Sequence, residues 1–217
     1  MKWIVVDKSK SVQPQGSKYN HPSWKEQVRL ECECQCIYCA LHDNQFGGAR
    51  NYHVEHYKPK SIDRFKGLKL DINNLYYCCG ICNTFKGDDW PNDWDVANES
   101  LISYPDPSKY DYSQLFYVGN DYKLVGKNVS GKYIVNKLFL NRPQLVYERR
   151  EYSLLEKYNL IKGQVNSILS EIADKHEDEL ANIKVELLKF FKIDNRLSKL
   201  LDIRRRISPY NTHEVSR

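Results

Sequence analysis

No run of apolar residues in this 217-residue chain approaches the length of about 20 that a helix needs to cross a bilayer. That speaks against a membrane-spanning protein. The opening MKWIVVDKSK has an apolar stretch too short for a secretory signal, so the expected location is the cytoplasm. Internal repeats and low-complexity tracts are missing, which sets aside solenoids and extended flexible arrays. A G-x-x-x-x-G-K-[ST] loop is also lacking, so the chain does not itself carry the phosphate cradle of a P-loop ATPase. Nor is there an acidic excess: 33 lysines and arginines against 28 aspartates and glutamates leave a net charge of +5. Such a balance permits a polyanionic partner without requiring one.

What is present is ordinary globular usage, 41% hydrophobic and 28% charged, at a length that suits one core with an appended part. Trp3 to Val6 reads as a short strand, followed by a polar loop with Pro14 and Gly16. From Pro22, SWKEQVRLEC has helix formers and leads into a cysteine cluster. Tyr52 to Tyr57 favours a strand, Lys58 to Asp71 a basic loop, and a short helix is expected near Cys82. Proline and aspartate are frequent between Trp90 and Asp111, which marks a linker or an ordered bridging loop. LFYVGNDYKLV reads as a hairpin around Gly119-Asn120-Asp121. After Ser130 the pattern is helical, with apolar stripes at Leu154, Leu155, Tyr158 and Ile161 and at Ile168, Ile172, Leu180, Ile183, Leu187 and Phe190, and breaks expected near Gly163 and Asp194. The fold expected is α+β: residues 1–95 form a small zinc-stabilised core, and residues 96–217 a hairpin plus a C-terminal helical subdomain.

The seven cysteines are odd in number, and two pairs are spaced C-x-x-C in a chain with no export signal, which favours thiolates on a metal over disulfides. Cys36 and Cys39 make one knuckle, Cys79 and Cys82 the other. Four thiolates close a tetrahedral zinc shell with no open position, so such a zinc is structural and the chemistry lies elsewhere. Cys32 and Cys34 compete for the metal through C-x-C-x-C spacing, and Cys78 suits an apolar core position.

Between the knuckles stands Tyr52-His53-Val54-Glu55-His56-Tyr57-Lys58-Pro59-Lys60-Ser61, and before the second lies Asn73-Asn74-Leu75. A carboxylate followed by histidine, a nearby proline, then N-L-x-x-C-C-x-x-C-N with a lysine three residues on, resembles the zinc-containing HNH (ββα-metal) nucleases over Cys36 to Lys86. The resemblance implies a metal-dependent endonuclease acting on nucleic acid, DNA by family habit. Hydrolysis of a phosphodiester needs a base, and His56 suits it because imidazole is largely neutral at cellular pH. Glu55 and Asn83 offer hard oxygens for magnesium or manganese. Asn74 matches the family's middle asparagine, whose amide supports the base-bearing segment. His53 lies on the same strand face as Glu55, as a second ligand, a phosphate contact or a structural residue. Lys58, Lys60 and Lys86 are candidate phosphate contacts, with Arg64, Lys66 and Lys69 adding charge to the loop and Arg204-Arg205-Arg206 a solvated helix end or a basic contact.

A narrower similarity joins H-V-E-H-Y-K-P-K-S, LISYPDPSKYDYSQLFYVGNDYKLVG and NKLFLNRPQLVYERR to the PtuB-type HNH nucleases of Septu and retron-associated antiphage systems. Leu101-Ile102-Ser103-Tyr104-Pro105 departs from the asparagine-proline usual there. This similarity implies an ABC-type ATPase partner of the PtuA kind; the C-terminal helices, larger than a minimal nuclease core needs, are the candidate docking surface, and no membrane is expected to be involved. Two other readings stay open: a non-catalytic zinc-stabilised adaptor, and the same site acting on structured RNA, since nothing in the motif tests for a 2′-hydroxyl.

Overall fold

The computed structural model describes residues 1–13, 22–95, 97–98 and 100–173, and further on residues 187–189, 191–192, 194–196 and 198–199. Among these, α-helices combine with two separate two-stranded antiparallel sheets, an α+β architecture. Helix α1 (Pro22–Glu31) opens on a proline, whose missing N–H costs nothing in the first turn. It buries Trp24 and Val28, one turn apart, with Cys32 one turn further. The chain leaves α1 through two left-handed residues, Glu33 and Cys34, and so doubles back to bring the first knuckle under the sheet.

Strand β1 (Tyr52–His56) pairs antiparallel with β2 (Leu75–Cys79), setting Tyr52 opposite Cys79, Glu55 opposite Tyr76 and His56 opposite Leu75. Every residue of β2 is buried, so both of its faces are covered. Helix α2 (Gly80–Lys86) follows without a linker, because Cys79 caps it by accepting the Cys82 N–H on Sγ at 3.4 Å. It covers the strand face that bears His53 and Glu55. Gly80 eases this approach, since a Cβ would sit 3.2 Å from His53 Nε2 and 3.3 Å from the Asn51 carbonyl oxygen.

Beyond the first sheet come β3 (Phe116–Val118), β4 (Leu124–Gly126), α3 (Val129–Lys137) and α4 (Pro143–Ala173). Asn128 caps α3 by accepting the Gly131 N–H at 2.8 Å. The helix starts so close to β4 that a Cβ on Gly126 would overlap the backbone of Gly131 and Lys132.

Several expectations need correction. Trp3 to Val6 forms no strand; it is a strap that buries Trp3 and Val6, held by the Val6 N–H on Pro107 O at 2.8 Å and the Trp3 indole N–H on Tyr38 O at 3.0 Å. Of the two readings of the stretch after Trp90, a linker or an ordered bridging loop, the structure has the ordered loop, packed into the core. Trp90 packs edge-on against Tyr57 and Phe65 with centroids 5.0 and 5.6 Å apart, and the fully buried Tyr104 donates to Asp89 at 2.7 Å. One buried cluster runs from Trp3 to Leu145, across the division expected after residue 95. Gly163 does not break α4; it faces open space, and the local cost of glycine, about 1 kcal/mol, is too small to end a 31-residue helix. Residues 194–196 are helical, and the Tyr158 hydroxyl donates to Asp194 at 2.8 Å, while residues 193 and 197, on which the expected break near Asp194 turns, lie outside the described residues. Leu154 and Ile161 of the expected stripe are exposed. Pro14, Gly16, Leu180, Ile183, Phe190 and Arg204-Arg205-Arg206 lie outside the described residues, as do the side chains of Ile168 and Ile172. Among the described residues no helix is long and apolar enough to cross a membrane.

Candidate metal centre and adjoining cleft

The two knuckles meet. The sulfurs of Cys36, Cys39, Cys79 and Cys82 lie within 4.8 Å of one another, all four residues buried. A tetrahedral ion held at about 2.3 Å from each sulfur needs sulfurs about 3.8 Å apart, and Cys39 and Cys79 stand at 3.8 Å. The set therefore fits a structural ion such as zinc, with no position left for substrate. Hydrogen bonds from the neighbouring thiols hold Cys79 far below the usual thiol range.

The other cysteines separate from this group. Cys32 accepts the Tyr77 N–H at 3.4 Å, and burial pushes its thiol up to about 12. Cys34 is half-buried and outside the cluster. Cys78 lies 3.7 Å from Cys36 but donates to the Cys79 carbonyl at 3.4 Å, a core residue on the margin of the centre. Arg142 is close to the sulfurs and has no counterpart in the sequence reasoning. Its Nη1 lies 3.7 Å from Cys82 Sγ and its Nη2 3.8 Å from the sulfurs of Cys39, Cys79 and Cys82.

Beside the centre opens a cleft of about 450 Å³. Its lining includes His53, Glu55, His56, Lys60 and Asn83, together with Lys25 from α1. His56 ends β1, and its Nε2 lies 3.0 Å from the Lys69 carbonyl. Since a carbonyl only accepts, that bond places a proton on Nε2 and makes Nδ1 the basic nitrogen. Burial, with Lys60, Lys86 and Lys69 adding to it, lowers the imidazole to about 4, so the ring is neutral at pH 7. Asn83, half-buried on α2, lines the same cleft.

Glu55 is 4% exposed. Its Oε1 receives the Lys86 ammonium at 2.7 Å and the Tyr38 hydroxyl at 3.3 Å, while Oε2 takes neither. Burial raises the carboxyl above its ordinary range and the Lys86 charge opposes this. Lys86 is thus not placed as a phosphate contact. Its side chain is fully buried, paired with Glu55, and donates to the His56 carbonyl at 3.2 Å.

Asn74 is buried and clamps the loop after His56. Its Oδ1 accepts the Lys58 N–H at 2.8 Å, and its Nδ2 donates to the carbonyls of Lys58 at 3.0 Å and Leu68 at 3.3 Å. His53 is exposed on the cleft wall against Gly80. Lys60 is exposed, whereas Lys58 is half-buried with its ammonium 5.6 Å from the Phe65 ring centre. Arg64 and Lys66 are engaged by Asp93 and Asp63. Lys25 was missed because its distance in sequence from the motif gives no hint that α1 borders the cleft. Comparison with protein-family models, with curated proteins and with solved structures finds no match.

Proposed function

We propose that this chain is a metal-dependent endonuclease of the HNH kind, with zinc in the four-cysteine centre and magnesium or manganese held by Glu55 and Asn83. The observation that carries the reading is one cleft uniting a neutral, tautomer-fixed imidazole with a carboxylate and an amide oxygen. Carboxylate and amide oxygens are the donors that hard divalent ions take. A divalent ion bound there supplies positive charge to the phosphoryl oxygens. His56 Nδ1 accepts the proton of the attacking water, and the Lys69 carbonyl holds the ring in register and stabilises the imidazolium that results. Asn74 keeps the loop carrying Lys58 and Lys60 in place, and Lys25 and Lys60 attract the phosphate backbone to the cleft.

DNA is the substrate we favour, from the sequence resemblance; the cleft itself offers no test for a 2′-hydroxyl. The same resemblance points to an ABC-type ATPase partner of the PtuA kind and a role in antiphage defence in the cytoplasm. The exposed Leu154, Leu160 and Ile161 on α4 suit protein docking. The test is His56→Ala. Zinc content and melting temperature should stay near wild type while magnesium-dependent cleavage falls on the order of 100-fold or more. Near-wild-type cleavage by that variant removes His56 as the base. Failure of the wild type to cleave DNA or RNA, alone and with its ATPase, leaves a zinc-stabilised adaptor.

A further inference from the structure

We infer that Arg142, at the corner between α3 and α4, is the counter-charge of the four-cysteine centre, and that retention of its metal depends on this guanidinium. This rests on the metal assigned above and not on nuclease activity. Four thiolates around a divalent ion carry a net charge of −2, and an uncompensated charge in a buried setting is costly. The guanidinium offers five N–H donors in a planar fork, which lets one side chain serve several acceptors. Here Nη1 reaches Cys82 at 3.7 Å and Nη2 reaches Cys39, Cys79 and Cys82 at 3.8 Å. Among the described residues no carboxylate pairs with Arg142, so the sulfurs are its only anionic partners.

The corner fixes the backbone that carries this side chain, and Nη1 also reaches the Leu138 and Phe139 carbonyls at 3.4 Å. The Arg142 N–H bonds to Phe139 O at 3.0 Å, and its own carbonyl accepts from Leu145 N at 3.0 Å as α4 begins. Leu138, Leu140 and Leu145 around it are fully buried. Two neighbours lock the corner to the rest of the fold. Asn141 bonds both backbone groups of Leu124, at 2.7 and 2.9 Å, and Arg149 donates to Leu140 O at 3.0 Å and Tyr122 O at 2.7 Å. The sequence Asn141-Arg142-Pro143, with Arg149 two turns on, thus binds hairpin, metal centre and helix together.

The test uses the full zinc-loaded chain and follows transfer of zinc to a chromogenic chelator under native conditions, after metal analysis of each protein. Arg142→Met should release zinc about 10-fold faster or more, the usual effect of losing a partner to metal ligands. Arg142→Lys, which keeps the charge but spans fewer sulfurs, should fall between. Leu145→Ala removes packing from the same corner and no charge; it should lower the melting temperature and leave release at the wild-type rate. Release from both Arg142 variants at the wild-type rate overturns the inference, as does equally fast release from Leu145→Ala. Should Arg142→Met not fold, Arg142→Lys decides alone: faster release supports the inference and an unchanged rate overturns it. A wild-type protein that carries no zinc would remove both this inference and the metal assignment beneath it.

Discussion

Lys86→Met isolates the buried ion pair behind the cleft wall. The ammonium lies 2.7 Å from Glu55 Oε1, with side chains 0% and 5% exposed. At that distance the attraction is about 6 kcal/mol at an effective dielectric constant of about 20, and desolvation of both groups offsets much of it. Methionine preserves the bulk and leaves a buried carboxylate without a cation, a change that costs about 3–5 kcal/mol when the charge persists. The carboxyl can escape this by binding a proton. Burial already raises Glu55 and Lys86 opposes it, so the variant raises it further. A folded-state value above the unfolded one gives stability that is present at low pH and lost as pH rises through the folded value. The loss caused by Lys86→Met should therefore be small at pH 5 and approach its full size at pH 8. Urea unfolding of wild type, Lys86→Met, Glu55→Gln and the double variant measures it, and the double variant should recover much of the loss because no charge remains to strand. Equal losses at both pH values, or losses that simply add in the double variant, would show that the pair is not coupled as its geometry implies.

Three further outcomes are expected. Cys79→Ser takes one sulfur from the metal set while its hydroxyl can still cap α2, so zinc content and melting temperature should fall together through the metal alone; zinc retained at full stoichiometry would move the ligand set elsewhere, Cys78 being the nearest spare thiol. If His56 is the base proposed here it must be neutral to act, so activity should be present above the His56 value and lost below it, with the acid limb of kcat/KM near pH 4 instead of the 6.5 of an ordinary imidazole; a limb near 6.5 contradicts the burial of the ring. A chain ended at Arg142 should fail to fold or hold zinc, because the buried Leu145 and Arg149 go with the missing helix, and circular dichroism with metal analysis decides it. Native-like folding of that fragment would restore the division into separate parts that the sequence suggested.

Much of the first sheet and the metal centre is legible because short-range spacing carries it. The paired knuckles, the β-favouring run at Tyr52 and the four-residue spacing of Trp24 and Val28 are local patterns with physical causes. The inward turn of Lys86 was legible too, from a signal that residue type obscured. Cys82 and Lys86 are four apart on one helix, so a ligand pointing into the fold brings the lysine with it. Lysine is so seldom buried that composition argues for the surface, and this burial is tolerable because the Glu55 carboxylate and the His56 carbonyl receive the ammonium. The proline and aspartate content after Trp90 suggests a linker, but Trp90, Tyr104 and Tyr112 supply enough aromatic surface to draw the stretch into the core. Lys25 and Arg142 lie outside any local pattern, since their roles depend on which helices the fold sets beside the motif.

The metal centre and the cleft are one mechanical unit, and Glu55 is the point where they join. Both partners of its Oε1 come from the knuckles: Tyr38 stands between Cys36 and Cys39, and Lys86 one helical turn after Cys82. Asn83 follows Cys82 directly on the same short helix. A seven-residue helix is too short to be stable through its own hydrogen bonds, so its position, and with it the placement of Asn83 and Lys86, is set by the sulfurs at its start. An ion that closes the four-sulfur shell would therefore act on the cleft without entering it, by fixing where the Glu55 carboxylate and the Asn83 amide stand.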